Sequence, residues 1–379
     1  MDFARHNAEV RRLWADYRAG VPGRPPVTFS MNSRMILLEP SLNPRGITPR
    51  RFFEDPAAMW DIELAFQRWL RSEVVQDAEM GPPAAWAIAP QWFNVYDAGW
   101  FGAELFYPQD DLPDTRPMFQ EHKERLYHTP LPDPLRGHLM GRAVEFHQYF
   151  DDRRKRDEFE GRPVGPPWGA TGSDGPFTVA CNLRGATELC ADLLEDPGYA
   201  YDLLEWVTEG LVRRMRAWRT MTGFPPPAAG EWTWFADDSI ALLSPVAYRE
   251  HILPHHRRLL RLFRGEARLM MHLCGRASHQ FRTLVDELGV QSFEVGFPTD
   301  LAAARAALGP DIELIGNIHP MLLRDGPPAA IAAAVRAVLA GGAARGGRLI
   351  LRDGNNCAPG TPPAHFAAMH AAARAAGPA

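Results

Sequence analysis

The sequence is poor in cysteine, has no long apolar run and carries no large excess of one charge. Its 379 residues hold only four cysteines, too few and too scattered for a disulfide framework. The longest apolar stretches, such as 329–344, are interrupted by arginine and glycine, which excludes a membrane-spanning helix of ~20 apolar residues. A net charge of −5 without a basic stripe argues against a nucleic-acid partner. The N-terminus also lacks the apolar core of a secretory signal, so we expect a cytoplasmic protein.

What is present is the composition of a soluble globular chain, with 46% hydrophobic and 23% charged residues. The C-terminal half alternates short apolar, β-branched runs with longer helical patterns, which is typical of βα units around a parallel sheet. The predicted strands lie at 175–181, 231–235, 267–273, 292–296, 312–318 and 348–352. The predicted helices lie at 199–222, after Ser244-Pro245, and at 277–288, 300–308, 329–340 and 364–375.

Six βα units in the C-terminal half favour a (β/α)8 TIM barrel, because the first half needs to supply only two more. The strand 26–32 followed by the helix 55–73 is the first of these. We therefore predict a single barrel domain over 1–379, with an N-terminal helical extension over about 1–25 and an insertion over about 108–172. A doubly wound open sheet is the alternative, although no GxGxxG follows the first strand.

In a parallel barrel the chemistry lies at the carboxyl ends of the strands, so polar residues at predicted strand ends are the candidates for the site. They are Asp237, Asp238, His272, Cys274, Glu294, Asn317, Asp353, Asn355, Asn356 and Cys357.

The most specific pattern is His272-Leu273-Cys274-Gly275, because residues i and i+2 of an extended chain point the same way. An imidazole and a thiolate presented together predict a metal site, with Cys357 and Glu294 as candidates for the further ligands. The alternative is a hydrogen-bonded core histidine beside a buried thiol.

The acidic pair Asp237-Asp238 has two interpretations. It serves in catalysis, by binding substrate or orienting a metal ligand, or it complements the dipole of the helix that begins at Pro245. The nearby histidines His251 and 255–256 are expected on a solvated helix face.

Several segments resemble the uroporphyrinogen decarboxylase superfamily, which has a (β/α)8 fold. They are 101–117 (FGAELFYPQDDLPDTRP), 175–209 (beginning GPFTVACNLRGATELC), 237–259 (DDSIALLSPVAYREHILPHHRRL), MHLCG, IGNIHPMLL and APGTPP. The HLCG segment is similar to the HxCG of its zinc-dependent, corrinoid-linked methyltransferases. The decarboxylases instead carry an arginine cluster on the first strand, where FSMNSRM has Arg34 as the only arginine.

The resemblance implies a Zn²⁺ site that binds a small thiol or methylated substrate. It also implies a corrinoid, methylcobalamin, as co-substrate, either free or on a separate protein, because the chain has no DxHxxG corrinoid-binding segment. Relative to the P-x-T-P motif, the third ligand cysteine of those methyltransferases falls at Asn355, two residues before Cys357. We predict that Cys357 nevertheless joins His272 and Cys274 as a ligand, with Glu294 or an exogenous molecule completing the set.

Two other functions stay open. One is a decarboxylase or other lyase for a small carboxylic acid, with Asp237 or Asp238 as acid or base and Arg34 holding the carboxylate. The other is a ligand-sensing protein without turnover. Among the remaining candidates we expect Asn317, Asp353 and Asn355 to bind substrate, and the 11 tryptophans leave a homodimer interface open.

Overall fold

The computed structural model describes residues 1–167, 173–297 and 299–377. Its centre is a five-stranded parallel sheet with the strands in chain order. The strands are β1 (Trp232–Ala236), β2 (Arg268–Leu273), β3 (Val290–Val295), β4 (Glu313–Ile318) and β5 (Leu349–Asp353). Each strand coincides with a predicted one to within two residues, so the predicted parallel α/β architecture is confirmed.

Both edges of this sheet are extended by isolated parallel bridges. Val27 pairs with Leu351 of β5, and Asp174 pairs with Ala236 of β1. The first predicted strand, at 26–32, is therefore represented in the described part of the chain by a single bridge at Val27.

The predicted strand 175–181 is wrong, because this segment lies in the helix Pro176–Arg184. Nearly all of its side chains are buried. A short helix that is almost entirely buried and a buried strand give similar apolar runs, so periodicity cannot separate them. The proline at the first helical position favours the helix.

Helices account for most of the remaining structure. The α-helices span Phe3–Ala19, Arg34–Leu37, Pro49–Glu54, Pro56–Glu73, Tyr96–Phe101, His138–Arg153, Pro176–Arg184, Ala186–Glu195, Pro197–Thr222, Pro245–Ala247, Leu253–Phe263, Phe281–Leu288, Leu301–Leu308, Pro320–Asp325, Pro328–Ala340 and Pro363–Ala375, with a π-helical turn at Tyr248–Ile252. Short 3-10 turns lie at Phe93–Val95, Pro108–Asp110, Lys123–His128, Asp238–Leu242 and Ser278–Gln280. None of the helices in the described residues is long and apolar enough to cross a membrane.

The segment predicted as an insertion, 108–172, contains the helix His138–Arg153 and a small antiparallel ribbon, Glu158–Phe159 with Arg162–Pro163. A second ribbon joins Leu105–Phe106 to Asp114–Thr115 at its start. The last five residues of the predicted insertion, 168–172, lie outside the described residues.

The helix Phe3–Ala19, within the predicted N-terminal extension, packs against the five-stranded sheet through Tyr17. The Tyr17 hydroxyl donates a hydrogen bond to Glu313 Oε2 at 2.8 Å, at the amino end of β4. The Tyr17 ring packs with Ile315 and Ile350. This helix therefore covers the end of the sheet opposite to the carboxyl ends of the strands.

A buried ion pair joins distant parts of the chain. Asp77 accepts two hydrogen bonds from Arg24, at 2.6 and 2.7 Å, and one from the Val27 backbone N–H at 2.7 Å. His370 Nε2 lies 3.1 Å from the same carboxylate. The Asp77 carboxylate thus connects the N-terminal segment to the helix Pro363–Ala375.

Candidate metal centre

Three possible metal ligands converge where β1 and β2 end. One ligand atom each from Asp238, His272 and Cys274 lies within 4.8 Å of the other two. His272 and Cys274 are brought to one side by the i, i+2 relation at the end of β2, and pairing of Ala236 with His272 places the turn after β1 beside them. Asp238 Oδ1 accepts a 2.6 Å hydrogen bond from the Cys274 backbone N–H, and its Oδ2 lies 3.8 Å from His272 Nε2.

The other ring nitrogen of His272 faces a second carboxylate. Glu294, the neighbour of His272 in the sheet register, has Oε2 at 3.4 Å from His272 Nδ1. Its other oxygen lies 3.2 Å from Arg352 Nη1. The Arg352–Glu294–His272 chain therefore orients the imidazole with Nε2 toward Asp238, which is the usual way in which a carboxylate fixes a metal-binding histidine.

The electrostatics of this group follow from burial and hydrogen bonding. Burial lowers the pKa of His272, but hydrogen bonds with Cys274 and Glu294 outweigh it and raise the pKa to about 10. Burial raises the pKa of the Cys274 thiol, against the effect of His272. Burial would raise the pKa of Glu294, but the hydrogen bond with His272 and the charge of Arg352 lower it. These pKa shifts favour a protonated His272 between the carboxylates of Glu294 and Asp238.

The donor set fits a zinc ion. One sulfur, one imidazole nitrogen and one carboxylate oxygen are all accepted by Zn²⁺, and three protein ligands leave one position open for a substrate or water, as in catalytic zinc sites. A divalent cation bound to His272 would displace the proton from the imidazole. Its positive charge would then take over the attraction to the neighbouring carboxylates.

Asp237, adjacent in sequence to Asp238, has a different environment. Its carboxylate is fully buried and accepts hydrogen bonds from the backbone N–H groups of Phe177 (3.2 Å) and Thr178 (2.7 Å) and from the Thr178 hydroxyl (2.7 Å). His256 Nε2 lies 2.8 Å away. Gly175 packs so closely that a side chain there would overlap the carboxylate. Asp237 therefore caps the helix after Gly175, while Ser244 caps the helix at Pro245.

The predicted solvated histidine face is wrong for His255 and His256. Both are buried, His256 completely, and they bond to Thr208 and Asp237 respectively. Their helix has solvent on one side only, and these two residues lie on the side that packs against the rest of the molecule. Consecutive histidines in a charged sequence gave no indication of the partners that bury them.

Cys357 lies outside the group formed by Asp238, His272 and Cys274. Its backbone N–H donates to the Ser30 carbonyl at 2.8 Å, and its thiol contacts the carboxyl group of Asp353. Burial raises the pKa of both, that of Asp353 to about 7. The role of Cys357 as a metal ligand stays a prediction, as does that of Glu294, which contacts the imidazole.

The predicted substrate-binding residues lie at the carboxyl ends of β4 (Asn317) and β5 (Asp353), just after β5 (Asn355), and at the start of the helix Arg34–Leu37. Asn317 donates hydrogen bonds to the carbonyls of Gly296 (3.4 Å) and Thr299 (2.5 Å). The Asp353 carboxylate accepts from the Ser30 backbone N–H at 2.7 Å.

Asn355 and Arg34 have short-range partners. Asn355 has a backbone φ of 130°, which residues other than glycine rarely adopt. Its Oδ1 accepts a hydrogen bond from the Asn356 side-chain amide at 3.3 Å. Arg34 donates to Asn32 and stacks over the Phe93 ring at 5.2 Å, and burial lowers its pKa. All four remain candidates for substrate binding.

Three residues at the site were not identified from the sequence. Arg352 and Trp234 lie within predicted strands. The alternation of side-chain direction along those strands could have identified them as facing the site. Asp174 lies beside β1 through its bridge to Ala236, and no local pattern predicts that pairing.

Comparison with known proteins gives a consistent result. A model of the uroporphyrinogen decarboxylase (URO-D) family matches residues 169–376. A methylated-thiol–coenzyme M methyltransferase of Methanosarcina mazei is 26% identical over 249 residues, 64% of this chain and 61% of the relative. A uroporphyrinogen decarboxylase of Pelobacter propionicus is 36% identical over 98 residues, 26% of this chain and 28% of that protein.

The matched region thus spans about three fifths of the methyltransferase and a smaller part of the decarboxylase. In three dimensions the chain is similar to a methyltransferase from Methanosarcina mazei, with a TM-score of 0.64, 18% identity, and coverage of 92% of this chain and 93% of the other. At that identity the likeness concerns the fold. Because the family model matches more than half of the chain, this protein belongs to the uroporphyrinogen decarboxylase family.

Proposed function

We propose that this protein is a zinc-dependent methyltransferase that moves a methyl group between a corrinoid and a small thiol or methylated substrate. The corrinoid is free or carried by a separate protein. We further propose that the five-stranded sheet and the segments bridged to its edges are part of a closed (β/α)8 barrel, with the zinc ion at its mouth.

The observation that supports this function best is the convergence of Asp238, His272 and Cys274 at adjacent strand ends. Thiolate and imidazole donors favour zinc over the hard cations that oxygen ligands select. The relative that shares 26% identity acts on methylated thiols, according to its name, and so agrees with a thiolate-binding metal.

When bound, Zn²⁺ lowers the pKa of a thiol in its open position, so that a thiolate is available at neutral pH. His272 would hold the ion through Nε2, and Glu294 would keep the proton on Nδ1. Asp238 orients the Cys274 backbone through its 2.6 Å hydrogen bond while its other oxygen faces the imidazole. In the overall reaction the methyl group would pass as a cation from methylcobalamin to the thiolate sulfur, the electron pair of the Co–C bond would stay on cobalt as cob(I)alamin, and the thiol proton would be released.

The lyase alternative needs an acid or base in the acidic pair. Asp237 is fully buried and bonded to the protein, so Asp238 is the member of the pair whose carboxylate is partly exposed. A lyase that used Asp238 without a metal would keep its activity when His272 or Cys274 is replaced.

The test is metal content and methyl transfer in His272→Ala and Cys274→Ala. Both variants should lose zinc and methyl transfer from methylcobalamin to 2-mercaptoethanesulfonate or another small thiol, while circular dichroism is unchanged, because the strand cores consist of other residues. Cys190→Ala, on the separate helix Ala186–Glu195, is the matched control and should keep its zinc. Full zinc occupancy in either ligand variant, or activity that survives zinc loss, would refute the proposal.

A further inference from the structure

Arg352 projects from the inner face of the sheet, the face on which Ile350 packs with Ile315. Ile350 lies two residues before Arg352 on β5, and side chains at i and i+2 of a strand point the same way. The guanidinium reaches across β4, because its Nη1 lies 3.2 Å from the carboxylate of Glu294 on β3. Arg352 therefore crosses the inner face near the carboxyl end of the sheet.

The same face carries the candidate metal centre. Met270 packs against the same cluster as Ile350, so His272, two residues later on β2, also points to the inner face. Glu294 pairs with His272 in the register, and its two oxygens lie 3.4 Å from His272 Nδ1 and 3.2 Å from Arg352 Nη1. A single carboxylate therefore separates the imidazole from the guanidinium.

Arg352 has few partners for a guanidinium. This group is permanently charged and carries five N–H donors in a planar fork. Within the part of the chain that the structure describes, its one ion pair is with Glu294, which it shares with His272. Its Nε is buried and has no hydrogen-bond partner. The protein thus supplies one shared carboxylate for a charge that can bind a second anion.

The other acids near Arg352 are committed elsewhere. Asp353 is the next residue on β5 and points to the opposite face, where its Oδ1 accepts a 2.7 Å hydrogen bond from the Ser30 backbone N–H. Glu313, on the neighbouring strand β4, lies at the amino end of the sheet and accepts a 2.8 Å hydrogen bond from the Tyr17 hydroxyl. Neither carboxyl group completes the coordination of the guanidinium.

Both ends of this row of charges meet solvent. The side chain of Arg352 is 22% exposed and that of Asp238, beside His272, is 30% exposed. Glu294, which lies between the imidazole and the guanidinium, is only 8% exposed. Arg352 therefore combines a permanent charge, an incomplete set of acceptors and contact with solvent, on the same face as the candidate metal centre.

We propose that Arg352 binds an anionic oxygen group, a carboxylate or a sulfonate, on the substrate whose sulfur lies at the metal. This inference rests on the proposed function and adds the substrate class: a small thiol or methyl thioether with a negative charge a few bonds from the sulfur. The planar guanidinium can donate to the oxygens of this anion while its Nη1 stays on Glu294. Arg352 is thus the residue that selects among thiols.

The experiment compares thiol acids with their neutral amides by calorimetry, at pH 7.5, with the zinc-loaded and the zinc-free protein. The acids are 3-mercaptopropionate, 4-mercaptobutyrate and 2-mercaptoethanesulfonate, so that both chain length and type of anion vary. At least one acid should bind the zinc-loaded protein roughly tenfold tighter than its amide, because a charge-assisted contact replaces a neutral one. The acid with the largest ratio identifies the anion.

Two variants isolate the charge at position 352. Glu294→Gln should keep the preference for the acid, because Arg352 keeps its charge, whereas Glu294→Gln/Arg352→Met should reduce it to about twofold or less. Both lack the ion pair between these residues, so an effect that Arg352 exerts only through Glu294 is common to them. Arg348→Met, four residues earlier on the same face and just before β5, is the control and should keep the wild-type ratio. Thermal unfolding checks that each variant folds, and the zinc-free measurements cover a variant that loses zinc.

An equal preference for the acid in Glu294→Gln and in the double variant would overturn the inference, because the anion would then bind zinc itself or another cation. Equal binding of every acid and its amide by the wild-type protein would overturn it too. A preference that depends on Arg352, in a protein that neither holds zinc nor transfers methyl groups, would support the subsite and refute the proposed function. Zinc-dependent methyl transfer without any preference for acids would do the reverse.

Discussion

The adjacent acids Asp237 and Asp238 should respond to the same substitution in opposite ways. In Asp237→Asn, the buried side chain keeps one acceptor oxygen and places an amide NH₂ against groups that donate, namely the Phe177 and Thr178 N–H groups or His256. Each lost charge-assisted hydrogen bond costs about 1.5–3 kcal/mol. Two such losses predict a decrease of about 3–6 kcal/mol in the free energy of unfolding, which overlaps the range of about 3–5 kcal/mol for broken buried ion pairs.

Asp238→Asn should leave stability nearly unchanged, because the amide oxygen can still accept the hydrogen bond from the Cys274 backbone. It removes an anionic oxygen from the group with His272, and zinc affinity should fall about tenfold or more. Asp237→Asn should change zinc affinity much less at temperatures where it is folded.

The assay combines guanidinium chloride unfolding, followed by circular dichroism, with zinc competition against a chelator. Both variants remove one negative charge at neighbouring positions, so each is the control for the other. A loss of stability below about 1 kcal/mol in Asp237→Asn, or equal losses of zinc affinity in the two variants, would refute the division of roles.

Two further predictions concern other parts of the molecule. Glu294→Gln should weaken zinc binding about 10- to 100-fold, because the neutral amide orients His272 less strongly, and chelator competition at constant ionic strength measures this; unchanged affinity would contradict it. Asp77→Asn should cost about 3–5 kcal/mol at pH 7 because it leaves Arg24 without its buried counter-charge. Burial would raise the pKa of Asp77, but Arg24 and His370 hold it well below its usual range. The stabilisation is therefore complete above pH ~4 and is lost as pH falls toward the folded-state pKa, so urea unfolding curves of wild type and variant should converge in acid; a constant difference would contradict this.

The sheet could be predicted from the sequence because its strands are short, largely apolar segments that are each followed by a helical pattern. His272 and Cys274 could be placed together because strand geometry relates i and i+2 without reference to the rest of the fold. Asp238 was also identified, but the sequence alone did not decide between a helix-terminal role and a role at the metal. That choice depends on its contact with Cys274, 36 residues later in the chain.

The residues that the sequence could not place share a dependence on tertiary contacts. The helix Pro176–Arg184 is capped by Asp237, whose position relative to it is set only when β1 forms. Asp174 belongs to the site through a single bridge to Ala236. In the loop after β5, the direction of Cys357 depends on its hydrogen bond to Ser30, at the other end of the chain.

The ion pair at Asp77 has a consequence for synthesis on the ribosome. Asp77 and His370 are 293 residues apart. At about 5–20 residues per second, the N-terminal segment waits roughly 15 to 60 s before its last partner has been made. During that interval Val27 also lacks the strand containing Leu351. The first quarter of the chain therefore exposes its apolar surface for the longest time during synthesis. We expect chaperones to bind this part of the nascent chain more than its carboxyl half.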